Sequence, residues 1–151
     1  MTRTALLSLA IAAAACKGEP PAAAGPPYTP ATANALKAYA ADCEIRPAPE
    51  GGETRACRGR QATVRIELDR GRHLRELEMA VVASTGAGEA WTLFHNVLPA
   101  VAGPAVVEAV RSKLHGEPAA DAGADEVIDG VRIATAIQGQ RYTAKLTWGR
   151  R

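Results

Sequence analysis

The sequence predicts a small α+β domain, and three patterns carry that prediction. Two pairs of stretches alternate apolar and polar residues with the period of half-buried strands, three others repeat apolar residues at helical spacing, and Pro- and Gly-rich segments separate them. Along the chain they read helix, β-hairpin, helix pair, β-hairpin. Each hairpin has one apolar face that needs a cover, so the expected product is a four-stranded antiparallel sheet with helices on one face. The strand order stays open.

Thr29 and Pro30 have the character of an N-cap and first helical position, and Ala33, Leu36, Ala40 and Cys43 follow on one helical face. A first helix is therefore expected from Pro30 to Asp42. Pro47, Pro49 and Gly51-Gly52 end it and predict a loop up to Ala56. Val64, Ile66 and Leu68 then alternate with Arg65, Glu67 and Asp69, and Leu77, Met79, Val81 and Ala83 alternate again after the turn residues Arg70-Gly71-Arg72. Ser84 to Gly88 is a connector of small residues. Trp91, Phe94, Val97 and Leu98 form a helical stripe that Pro99 and Gly103-Pro104 interrupt, and Val106, Val107, Val110 and Leu114 form a second one ending at Gly116. Glu117 to Ala124 is expected to be a loop and Asp129-Gly130 a turn or the start of a strand. Val131, Ile133, Thr135 and Ile137, then Tyr142, Ala144, Leu146 and Trp148 around Gly139, make the clearest hairpin. Both halves run from helix to strand pair, without residue similarity that would make them a repeat.

The 151 residues allow one domain of ordinary size, and its core must be small. Hydrophobic residues make up 47%, but Ala alone outnumbers Val, Ile, Leu and Phe together. A net charge of +2 argues against nucleic acid as the main partner, since displacing counterions from a duplex calls for a clear basic excess. After Cys16 no stretch approaches the ~20 apolar residues that span a bilayer.

Met1 to Ala15 has the three-part build of a secretory signal: a basic start at Arg3, an uncharged Leu/Ala run, and small residues before Cys16. The segment Leu9-Ala10-Ile11-Ala12-Ala13-Ala14-Ala15-Cys16-Lys17 resembles the lipobox of bacterial lipoproteins. That resemblance implies cleavage before Cys16, fatty acylation of its thiol and new amino group, and membrane attachment by several acyl chains, which is stable where one chain is marginal. Lys17 stands where an Asp would favour retention at the inner membrane, so the resemblance implies the outer membrane of a Gram-negative bacterium with the domain facing the periplasm. A plain secretory signal cut near Ala15, with Cys16 free or paired, is the competing reading. Residues 16–30 then form the lipidated cysteine and a Pro/Ala-rich tether, and residues 31–151 the folded domain.

With Cys16 assigned to lipid, an even pair remains, and a Cys43–Cys57 disulfide is expected in an oxidising compartment; two independent thiols are the alternative. These cysteines lack the His partners of a zinc site, and no metal or cofactor is expected. His73, His95 and His115 stand apart from any nucleophile, and His115 suits the end of a helix. Glu67 with Asp69, and Glu76 with Glu78, share an outward strand face, which could serve glycoside cleavage but fits a charged hairpin with Arg65 or Arg75 as cross-strand partners.

Charge distribution says more than its sum. Seven arginines lie between Gly51 and Arg75, whereas Glu117 to Asp129 holds five acids and no base. Arg58, Arg60, Arg70 and Arg72 are candidate contacts for an anionic envelope component or an acidic protein, with a solvated, internally paired face as the plainer account. The expected function is a lipid-anchored, non-enzymatic binding or scaffolding domain. A small envelope hydrolase using the outward carboxylates or His95, and an inhibitor or immunity-type binder of a secreted enzyme, are the competing classes.

Overall fold

The computed structural model describes residues 24–115 and 124–149. Helix α1 (Pro30–Tyr39) leads into strands β1 (Asp42–Pro47), β2 (Glu53–Arg58), β3 (Ala62–Leu68) and β4 (Leu74–Val82). Helix α2 (Ala87–His95), a short 3₁₀ turn at Leu98–Ala100 and helix α3 (Pro104–His115) follow, then β5 (Ala124–Ile128), β6 (Val131–Gln138) and β7 (Arg141–Trp148). None of the helices described is long and apolar enough to cross a membrane.

The expected four-stranded sheet is overturned. Among the described residues the sheet has seven strands, antiparallel throughout, in the order β1-β2-β3-β4-β7-β6-β5. The four anticipated strands are its inner members β3, β4, β6 and β7. Of the additional strands, β2 begins where a loop was expected, while β1 and β5 occupy stretches to which the sequence assigned no element. Pro47, Pro49 and Gly51-Gly52 form the turn of a β1–β2 hairpin instead of a continuous loop, with Ala48 donating to the Gly52 carbonyl. The acidic segment ends in an edge strand, β5. β1 and β2 bury little: all six residues of β1 are exposed, and in β2 only Cys57 is buried, whereas β5 touches α3 and packs Ile128 against the core.

The first helix starts as expected, with the Thr29 hydroxyl accepting from the Thr32 backbone N–H at 3.2 Å. It stops at Tyr39, short of Asp42. Ala40 turns extended at φ −149°, and the chain reverses to lay β1 beside β2. The helical spacing of Cys43 is therefore coincidental. It belongs to β1 and stands directly opposite Cys57, and the two form a disulfide with a Cα–Cα distance of 3.9 Å.

Inward side chains come into rows across the inner strands: Ile66 opposite Leu77, Leu77 opposite Leu146, and Leu146 opposite Ile133. They pack with Leu36, Phe94, Leu98, Val110 and Leu114 from the helical segments into one core, α1 lying on β3, α2 on β4 and α3 on β6. A register shift between Glu67 and Leu68 leaves β4 one extra residue near Arg75, so Leu74 and Leu77 both turn inward although three positions apart.

The fold begins earlier than residue 31. Tyr28 N–H donates to the Arg72 carbonyl at 2.8 Å and Leu74 N–H to the Pro26 carbonyl at 2.9 Å. A Cβ at Gly25 would stand 1.9 Å from the Leu74 carbonyl oxygen, so this close approach requires glycine. The last residues of the expected tether are thus docked on the β3–β4 turn. The signal segment, Cys16 and the rest of the tether lie outside the described residues.

Replacing both Cys43 and Cys57 with Ser should lower unfolding free energy by about 3 kcal/mol, the chain-entropy value for a loop of this length, measured by urea unfolding without reductant. Tyr39 is buried against Phe94 with ring centroids 6.3 Å apart, and its hydroxyl has no hydrogen-bond partner among the described residues. Burial pushes its pKa well above the ordinary tyrosine value. Tyr39→Phe should therefore be neutral or raise stability by up to about 1 kcal/mol in thermal unfolding.

Candidate functional site

The four arginines singled out from the sequence do not form one patch. Arg58 and Arg60 lie at the β2–β3 turn, whereas Arg70 and Arg72 lie at the β3–β4 turn. β3 runs between these turns, and at about 3.3 Å per residue it separates them by roughly 20 Å.

At the β3–β4 turn the charges are largely engaged. Asp69 accepts the His73 backbone N–H at 2.9 Å and lies 3.5 Å from the His73 imidazole and 3.7 Å from Arg75. The His73 N–H bond is the main reason its carboxyl is held below the usual carboxylate range, with the imidazole, Gly71 N–H and Arg75 adding to it against a smaller opposing effect of burial. Arg70 donates to the Glu50 carbonyl at 3.0 Å. Arg72, in the left-handed region at φ 61°, places its guanidinium 5.9 Å from the Tyr28 ring, which also carries Arg55 at 4.8 Å. These groups fasten the entering chain to the sheet.

The opposite end differs. Arg60, Gln61, Thr63, Ala80, Val82, Ser84 and Arg141 line an open, shallow depression. Arg141 arrives there because β7 starts opposite the end of β4: Val82 and Arg141 are register partners, and Val82 N–H donates to the Gln61 carbonyl at 2.9 Å. No ion pair or side-chain hydrogen bond engages Arg58, Arg60 or Arg141 among the described residues. Asp42 faces Arg58 across the β1–β2 register. Glu89 is occupied by the connector before α2, where Thr85 donates to it through its backbone N–H at 3.0 Å and its hydroxyl at 2.9 Å, bonds that hold the Glu89 carboxyl below its usual range. The small-residue connector is thus tied down by that carboxylate.

Sequence reasoning missed Arg141, Gln61 and Val82. A basic residue opening a strand carries no local signal, and only the pairing of β4 with β7 brings Arg141 to Arg60. Val82, 46% exposed, is one of the few large apolar side chains left in water.

Two of the three described acids of the acidic segment, Asp125 and Glu126, are paired within their own half, while Asp129 sits in the β5–β6 turn without an ion pair among the described residues. Asp125 bonds Arg132 on β6, and Glu126 lies 2.9 Å from Lys113 on α3. They do not reach the arginine-rich hairpin; Glu117 and Asp121 lie outside the described residues. On the open face of the sheet Glu67 is the register partner of Glu76, and Glu76 lies 3.0 Å from Lys145. Glu78 is flanked in register by Arg65 and Lys145. His95 and His115 flank Trp91 at centroid distances of 5.3 and 6.4 Å on the helical layer, away from these carboxylates. Among the described residues no group of three or more His, Cys, Asp or Glu side chains could hold a metal ion. No protein-family model, curated protein or solved structure matches the chain.

The lowered Asp69 pKa fixes the sign of a pH effect. A carboxylate depressed on folding contributes fully above its unfolded pKa, about 3.9 for Asp, and loses that contribution as pH falls toward the folded value. Asp69→Asn should therefore cost up to about 1 kcal/mol at neutral pH, a gap that persists to about pH 5 and closes below pH 4 in urea titrations. A gap that widens on acidification would contradict the assignment.

Proposed function

We propose that this chain is a lipid-anchored envelope protein, attached through Cys16 to the periplasmic face of a Gram-negative outer membrane, whose folded domain is a non-enzymatic binding module for an anionic partner. The observation that carries the binding half is the polarity of the fold. The chain enters at the β3–β4 turn through Gly25 to Tyr28, while Arg58, Arg60 and Arg141 stand at the other end of the sheet without ion pairs among the described residues. An anchor at residue 16 is nine residues from Gly25, a reach of about 30 Å at full extension. A domain tethered in this way presents its engaged end to the membrane and its unengaged arginines to the periplasm.

The attachment half rests on the lipobox resemblance, with acyl chains supplying an affinity that no described helix supplies by spanning. Cys16→Ser should abolish incorporation of a fatty-acid label and move the protein from the membrane pellet to the soluble periplasmic fraction. Retention of the unlabelled variant in the membrane fraction would overturn the anchor.

A further inference from the structure

We infer that the depression between Arg60 and Arg141 binds the free carboxylate end of a peptide whose last side chain is small and apolar. The inference deepens the anionic-partner reading above and rests on it. Among the other described arginines, Arg46, Arg55, Arg75, Arg111 and Arg132 have an acidic partner and Arg70 and Arg72 are held by the Glu50 carbonyl and the Tyr28 ring, while Arg58 and Arg65 have no ion pair. Arg60 and Arg141 line one depression without such a partner among the described residues. Two guanidiniums lining one depression favour an anion there, and their planar forks suit a carboxylate.

The floor selects what the anion is attached to. Ala80 and Val82 lie beside the arginines, Ala80 buried and Val82 about half exposed. A bare inorganic anion would leave Val82 in water. A carboxylate borne on a carbon with a methyl-sized group covers it, and removing that apolar surface from water adds to affinity. The Gln61 amide and the Ser84 hydroxyl, also on the rim, can bond the preceding peptide group. Glu89, 3.5 Å from Ser84, is engaged by Thr85 and not by these arginines.

The test uses the ¹⁵N-labelled Cys16→Ser chain, so its result does not depend on acylation. Acetyl-Ala-Ala as free acid, acetyl-Ala-Ala amide and inorganic phosphate are titrated separately and followed by amide shifts. The free acid should perturb residues 59–62, 82–84 and 140–142 and bind at least tenfold more tightly than the amide or phosphate. Arg60→Gln and Arg141→Gln should each weaken it about tenfold, as loss of a charge-assisted hydrogen bond does, while Arg70→Gln and Arg72→Gln leave it unchanged. Equal binding of the amide overturns the inference, as does phosphate binding at these residues as tight as that of the acid. Acid binding that follows Arg70 and Arg72 also overturns it while leaving the broader anionic-partner reading intact.

Discussion

The pairing of β4 with β7 is the constraint on which the rest of the molecule hangs. On one side β1 to β4 form a meander, on the other β5 to β7 form a second, and this seam makes them one sheet. Leu77 meets Leu146, Met79 meets Ala144 and Val81 meets Tyr142 across strands more than sixty residues apart. The three helical segments over this face have no alternative place to bury Phe94, Leu98 and Leu114. The seam also brings Arg141 to Val82, so the candidate binding end exists only once the two meanders are joined. Contacts at such separation close long loops and are expected to form late in folding.

What was legible in the sequence was what the core forces to be periodic. β3, β4, β6 and β7 each bury one face under helices, and their alternation showed it; Thr29-Pro30 marked the start of α1, and cysteine parity pointed to the Cys43–Cys57 bridge. β1 and β2 were illegible because burial barely shapes them, and β5 because its five residues bring only Ile128 to the core. Asp42 to Pro47 pairs through its backbone with both faces in water, so nothing selects apolar residues there, and Pro47 with Pro49 just beyond it resembled a loop. The same limit applied to the arginines. Arg58 and Arg72 are near in sequence, but a strand carries the chain away between them, and Arg141 is distant in sequence but near in space to Arg60.

Edges and charges share a logic. Each side of a sheet this broad offers unpaired backbone groups to other chains, and both edges carry features that discourage pairing. β1 presents Asp42, Glu44, Arg46 and Pro47, and β5 presents Asp125 and Glu126. Arg46 with Glu44 and Arg132 with Asp125 are exposed pairs of the kind that contribute little stability, yet they hold opposite charges along the rims. Arg70 and Arg72, without acidic partners, are held by the Glu50 carbonyl and the Tyr28 ring, whereas at the end with Arg58, Arg60 and Arg141 no side-chain hydrogen bond or ring contact takes that place among the described residues.

The Cys43–Cys57 bridge joins the two strands of the outermost hairpin directly across from each other. It thereby closes a covalent ring that contains the Pro- and Gly-rich turn, the part of this hairpin most accessible to a protease. A single cut anywhere within that ring leaves the two halves of the chain bonded to each other. A molecule nicked there would stay in one piece, its N-terminal portion still covalently joined to the rest.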